Sequence, residues 1–103
     1  MTNEPRITGP TLKIIGQFIA APQEGLSGAD IAKATGVSSG TLYPVLFRLE
    51  KAGWFESKWE SVDPSEVGRP RRRLYSLTSL GAKKSRTVFQ DLVPLNGRLL
   101  WES

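Results

Sequence analysis

The stretch Val37-Ser-Ser-Gly-Thr-Leu-Tyr-Pro-Val-Leu-Phe-Arg-Leu-Glu-Lys51 decides the fold. It opens with small hydroxyl residues, which suit a helix N-cap because their oxygens accept the first unpaired backbone N–H groups. It then turns apolar at Leu42, Val45, Leu46 and Leu49, a spacing that stacks one apolar stripe on a helical face. The other face offers Ser38, Ser39, Thr41, Tyr43 and Arg48, with the hydrogen-bonding groups crowded at the N-terminal end. Just upstream a second helix is expected from Ser27 to Ala34, with Ser27 and Asp30 spaced as a capping box. Gly36 supplies the left-handed residue that ends it. Two short helices joined through a glycine turn are the sequence form of a helix-turn-helix, whose second helix meets DNA bases in the major groove.

Working outward, Trp54 to Trp59 alternates bulky and polar residues and reads as a strand, with Arg72 to Leu77 as its antiparallel mate. Glu60 to Arg71, holding Pro64, Gly68 and Pro70, reads as a long hairpin loop. A helix-turn-helix followed by a hairpin is a winged helix, so the expected class is mainly α with a small β-hairpin. Thr78 is placed to cap a last helix running from Ser79 towards Leu92, which Pro94 either bends or ends; with a further turn or two over Asn96 to Trp101 the C-terminal helical segment spans about residues 79–101. At the other end, Leu12, Ile14, Ile15, Phe18 and Ile19 fit a first helix over about residues 8–21, stopped by Pro22. Gln23 to Leu26 reads as a loop. Pro44 lacks an N–H and collides with the carbonyl four residues back. The recognition helix therefore either starts near Thr41, or starts near Ser39 and bends at Pro44.

At 103 residues the chain is expected to form one domain, 1–103, with a core small enough to gain from a partner subunit. The absence of cysteine excludes disulfides and thiol chemistry, and the absence of histidine removes the commonest general base and metal ligand. No catalytic constellation, metal site or cofactor motif is visible among the 10 acidic residues, so an enzyme is not expected. No apolar run reaches membrane-spanning length, and the N-terminus lacks a signal-peptide layout, which points to the cytoplasm. A net charge of +4 and a pI near 9.8 favour a polyanionic partner, here double-stranded DNA.

At three places the sequence resembles the PadR-like winged helix-turn-helix transcriptional regulators of bacteria. Gly40-Thr-Leu-Tyr-Pro44 with Arg48-Leu-Glu50 is similar to their recognition-helix signature. Gly53-Trp-Phe-Glu56 to Trp59 resembles the first wing strand. Gly68-Arg-Pro-Arg-Arg-Arg73, followed by Tyr75-Ser-Leu-Thr78 and Gly81, resembles the wing and its exit. The resemblance covers about residues 27–83. It implies a homodimeric regulator, often a repressor, that pairs through its first and last helices and binds a palindromic operator. It adds Gly40 to the DNA-facing set, and it implies that a small aromatic effector is an option. Two departures stand out: Ala29 follows Gly28 where the family commonly has an aromatic, and Pro94 interrupts a short last helix.

Each candidate residue has a structural alternative. Arg69, Arg71, Arg72 and Arg73 either grip phosphate oxygens or form a solvated face balanced by Glu56, Glu60, Asp63 and Glu66, with Arg73 the most structural of the four. Lys58 is a further phosphate candidate on the first wing strand. Ser38, Ser39 and Thr41 are caps as well as DNA contacts, and Tyr43 is a contact or a core residue needing a buried partner. Arg48 contacts the DNA backbone or pairs near Glu50. Leu12, Ile15 and Ile19, with the Val88, Leu92, Leu95, Leu99 seam, are the dimerisation candidates, and Trp101 is a candidate to stack on an effector. The alternative function is a protein–protein adaptor whose basic wing docks an acidic partner; such a surface would present large exposed apolar anchors.

Overall fold

The computed structural model describes residues 7–19, 21 and 24–92. Helix α2 (Gly28–Thr35) starts where local capping dictates. Ser27 Oγ accepts from the Asp30 N–H at 3.1 Å, and Asp30 Oδ2 accepts from the Ser27 N–H at 3.2 Å. It ends at Gly36, whose φ of 74° is left-handed and whose N–H donates to the Ala32 carbonyl at 2.8 Å. The Thr35 hydroxyl braces the turn by donating to the Ile31 carbonyl and accepting from the Val37 N–H.

Helix α3 (Ser39–Lys51) follows, with Pro44 inside it, so the helix begins at the earlier of the two expected positions. Pro44 leaves the Gly40 carbonyl without its i+4 donor, and because Gly40 is exposed, solvent can take that bond. Leu42, Val45, Leu46 and Leu49 are all buried, as the apolar stripe required.

The hairpin consists of β2 (Phe55–Trp59) and β3 (Arg73–Leu77), paired antiparallel from Phe55 opposite Leu77 to Trp59 opposite Arg73. Two features differ from the sequence expectation. The loop between the strands contains a short helix, α4 (Pro64–Val67), capped by Asp63, whose Oδ1 accepts from the Ser65 N–H at 3.0 Å. A third strand, β1 (Leu26–Ser27), replaces the end of the expected loop and pairs with β3, Leu26 opposite Tyr75 and Ser27 opposite Leu74, giving the order β1-β3-β2. The residue that caps α2 therefore also belongs to the sheet, which ties the helix-turn-helix to the wing.

Helices α1 (Gly9–Ile19) and α5 (Ser79–Leu92) flank this unit. The core joins Ile14, Ile15 and Phe18 of α1, Ile31 of α2, the stripe of α3, and Trp54, Phe55 and Tyr75. Phe18 and Phe55 stack tilted, with centroids 4.5 Å apart. Trp54 and Phe55 are both buried. The structure moves two expected subunit contacts inward: Leu12 is 6% and Ile15 0% exposed within the single chain. Side chains already removed from water by their own core have no face left for a partner. Ile19 is 62% exposed and Val88 half-buried. The Leu92 side chain, Leu95, Leu99, Trp101, and the stops at Pro22 and Pro94 lie outside the described residues.

The exit from the wing is held by one side chain. Thr78 Oγ1 donates to the Gly53 carbonyl at 2.6 Å and approaches that of Trp54 at 3.2 Å, while accepting from the Gly81 N–H at 2.9 Å. One hydroxyl thus joins the end of α3, the start of β2 and the first turn of α5.

Candidate nucleic-acid interface

The N-terminal half of α3 is exposed at Ser38, Ser39, Gly40, Thr41 and Tyr43. Ser38 occupies the N-cap position, yet its side chain makes no capping bond. Its Oγ donates to Thr41 Oγ1 at 3.4 Å, a long contact between two exposed hydroxyls. The capping role expected of Ser38 is therefore absent, and its hydroxyl is held at the exposed helix start only by this long contact. The first turn of α3 is closed by backbone bonds from Thr41 and Leu42 to the Ser38 carbonyl.

Tyr43 is 48% exposed, and its ring lies against Gly28 at the start of α2. A Cβ on Gly28 would stand 2.7 and 2.8 Å from ring atoms Cε1 and Cζ of Tyr43. The missing side chain lets the tyrosine lean on α2 with its hydroxyl over Gly28, while the residue as a whole stays about half exposed.

The four wing arginines separate into two pairs. Arg69 is committed to Glu60, with Nη1 at 2.6 Å from Oε1 and Nη2 at 3.2 Å from Oε2. Glu60 also accepts from the Arg72 backbone N–H at 2.9 Å. Arg73 points to the core face of the sheet, where its Nε donates to Ser57 Oγ at 2.9 Å and Nη2 lies 3.7 Å from Glu50. Its guanidinium sits 5.5 Å from the Trp59 ring centroid. These two arginines close the hairpin. Arg71 is exposed, and among the described residues its bond is from Nε to the Val62 carbonyl at 2.9 Å. Arg72 is exposed and reaches Asp30 only at 4.0 Å, a distance at which an exposed ion pair contributes little. Arg71 and Arg72 are therefore the cations of this run that remain free to meet an outside anion. Lys58 is exposed on the opposite sheet face from Arg73, and Arg48 is exposed on α3.

Glu60 is the electrostatic pivot of the wing. The Arg69 hydrogen bond first, and the Arg72 N–H second, hold its carboxyl at about 2 against an ordinary value of 4.5. A carboxylate whose folded pKa is depressed contributes stability above its unfolded value and loses it as pH falls towards the folded one. Wing order is therefore expected to be constant above about pH 4.5 and to decline from there towards pH 2. A carboxyl-carbon NMR titration is expected to place the Glu60 midpoint near 2, moving up towards 4.5 in Arg69→Ala. A midpoint already near 4.5 in the unchanged protein would show that Arg69 does not hold it.

Sequence reasoning missed Phe47, which is 61% exposed on α3; Trp59, 59% exposed on β2, lies on the open face of the hairpin beside Arg73. Phe47 could have been found from helical phase, because it falls opposite the buried stripe.

Three helices around one core, a three-stranded antiparallel sheet and a basic hairpin set beside an exposed helix define a winged helix-turn-helix. The chain belongs to the transcriptional regulator PadR-like family, whose model matches residues 24–87. No curated protein matches it. Among solved structures it is similar to MepR of Staphylococcus aureus in a DNA complex, with 26% identity and a TM-score of 0.66 over 82% of this chain and 63% of that one. It is also similar to MarR of E. coli in its apo form, with 25% identity and a TM-score of 0.67 over 82% of this chain and 56% of that one. PcaV of Streptomyces coelicolor, 23% identical over 79% of this chain and 54% of its own, shares the fold with a TM-score of 0.65. The chain thus spans less than two thirds of the length of these regulators. Among the described residues no helix is long and apolar enough to cross a membrane.

Proposed function

We propose that the protein is a sequence-specific, DNA-binding transcriptional regulator that acts as a homodimeric repressor in a bacterial cytoplasm. In this reading α3 enters the major groove, while Arg71 and Arg72, helped by Lys58, hold phosphates or the minor groove beside it. One observation carries it: the exposed residues Ser38, Ser39, Thr41 and Tyr43 stand on a helix start with no carboxylate in its first turn, Tyr43 and Arg72 line one surface pocket, and among the described residues neither Arg71 nor Arg72 has a carboxylate closer than 4.0 Å. Hydroxyl and amide groups at a helix start can bind phosphate and base edges, and exposed arginines complement the DNA backbone. Membership of the PadR-like family and the likeness to MepR, solved on DNA, support the same reading. Ile19 supports the pairing, since it lines an apolar groove of about 510 Å³ with Arg86, Phe89 and Gln90, where α1 and α5 adjoin. Among the described dimerisation candidates, Ile19 and Val88 retain exposed surface for that role.

The test is fluorescence anisotropy with the DNA upstream of the protein's own gene and a scrambled duplex of equal length, across a salt series. Tighter binding to the upstream DNA that survives rising salt is expected. Thr41→Ala and Tyr43→Phe are expected to change the preferred sequence rather than weaken all binding equally. Absence of binding to either duplex would overturn the proposal. It would favour a protein–protein adaptor, for which the exposed Phe47 and Trp59 are the supporting observation.

A further inference from the structure

The groove-facing line of α3 differs from its flanks. At about 100° per residue, the positions opposite the buried Leu42, Val45, Leu46 and Leu49 are Gly40, Pro44, Phe47 and Lys51. The hydroxyls lie to the sides of this line. Gly40 has no side chain, and neither Pro44 nor Phe47 carries a side-chain donor or acceptor. Nothing in the fold requires glycine at position 40: its φ is not positive, and a Cβ there would meet no atom within 4 Å. The helix therefore accepts a residue that disfavours helix with no internal return. That is accounted for if another backbone or base edge must come close from outside.

Phe47 stands out from this line at 61% exposure, and Lys51 Nζ lies 5.4 Å from its ring centroid. A lone exposed phenylalanine is ordinary on a protein surface. This one occupies the middle of the outward ridge, about 10 Å along the axis from Gly40 at roughly 1.5 Å per residue. It has the cations Arg48 and Lys51 beside it in sequence. The single carboxylate of the helix, Glu50, is occupied by Ser57 Oγ at 2.7 Å and by Arg73 at 3.7 Å, so it does not oppose a polyanion there.

A phenyl ring pressed on a base edge leaves any donor or acceptor beneath it unpaired, which is costly. The one apolar group that a standard base pair presents in the major groove is the C5-methyl of thymine. We propose that Phe47 is a specificity-determining residue that packs on a thymine methyl in each half-site, with Gly40 allowing the helix start to approach the bases. This rests on the DNA-binding reading above and specifies what the helix reads.

The experiment uses the full chain and the tightest duplex recovered by selection from random DNA, with each thymine replaced in turn by deoxyuridine, which lacks only the methyl group. Wild type is expected to lose about fourfold in affinity at one or more positions, the effect of one buried methyl. Phe47→Ala should bind the thymine and uracil duplexes alike, and Phe47→Leu should retain part of the discrimination. Gly40→Ala should keep or raise the melting temperature while weakening binding. Equal affinity of wild type for every uracil duplex would overturn the proposal while leaving DNA binding intact. A methyl effect that persists undiminished in Phe47→Ala would also overturn it, by assigning the methyl to another residue. Failure to select any duplex would instead remove the DNA-binding reading itself, and this proposal with it.

Discussion

Gly81→Ala is expected to be the most destabilising single methyl addition in the helices. A Cβ at this position would run into the Trp54 carbonyl oxygen and stand 2.7 Å from its carbonyl carbon and 2.9 Å from its Cα. These are backbone atoms that cannot rotate away. The Trp54 carbonyl accepts from the Thr78 N–H at 2.9 Å, and the Trp54 side chain is buried in the core. To admit the methyl, α5 must lift off the start of β2, which would stretch the Thr78 hydroxyl bonds to Gly53 and Trp54. Overpacking of this kind costs about 3 kcal/mol or more when backbone has to move, a large part of the roughly 5–15 kcal/mol that holds a domain folded. Thermal unfolding should show a drop of roughly 10–20 °C, at about 4–8 °C per kcal/mol for a domain near this size. Gly36→Ala, where open space surrounds the position and only the left-handed backbone is strained, should cost less. A Gly81→Ala protein that melts within a degree or two of the parent would mean that α5 does not dock as closely as described.

Replacing both Arg71 and Arg72 by alanine should have the largest effect on DNA binding with the smallest effect on the fold. Arg71 contributes one bond to the Val62 carbonyl, and Arg72 a 4.0 Å exposed pair with Asp30, so the melting temperature should barely move. Each phosphate contact contributes about 0.9 to the slope of log affinity against log salt, so the double variant should lower that slope by about 2 per protomer. Affinity at low salt should fall roughly tenfold or more on every sequence, because phosphate contacts carry no sequence information. Arg69→Ala should behave differently. It removes the partner of Glu60, so its loss should first appear as disorder of the hairpin, and only through that as weaker binding. An unchanged salt slope in the double variant would take the wing out of the interface.

Much of this molecule is written in local sequence. Ser27 and Asp30 satisfy each other's backbone N–H groups three residues apart, so α2 declares its own start. Asp63-Pro64 and Gly68 mark α4 in the same local way, as an acceptor cap, a first-turn proline and a left-handed stop. That signal sits between two strands, where Pro64, Gly68 and Pro70 fit a hairpin loop equally well. Strand β1 offers no such signal: two residues cannot display alternation, and Leu26–Ser27 is a strand only because Leu74 and Tyr75 lie beside it.

The functional face divides along the same line. The helix-turn-helix and the hydroxyl-rich start of α3 follow from spacing, since caps, turns and periodic stripes involve neighbours within four or five residues, and each wing strand shows in its own alternation although its partner lies 14 to 22 residues away. Which arginines remain free does not follow from the run Gly68-Arg-Pro-Arg-Arg-Arg73, in which all four look alike. Arg69 is taken by Glu60, nine residues away, and Arg73 by Ser57 and Glu50, sixteen and twenty-three residues away. Tertiary contacts likewise took Leu12 and Ile15 into the chain's own core and left Ile19 and Phe47 in solvent. An apolar residue's position on a helix wheel is local information, but whether anything covers it depends on packing between distant segments. The sequence by itself determined the kind of fold and the helix that points outward; the tertiary structure decided which charges and apolar groups on that surface are left to meet a partner.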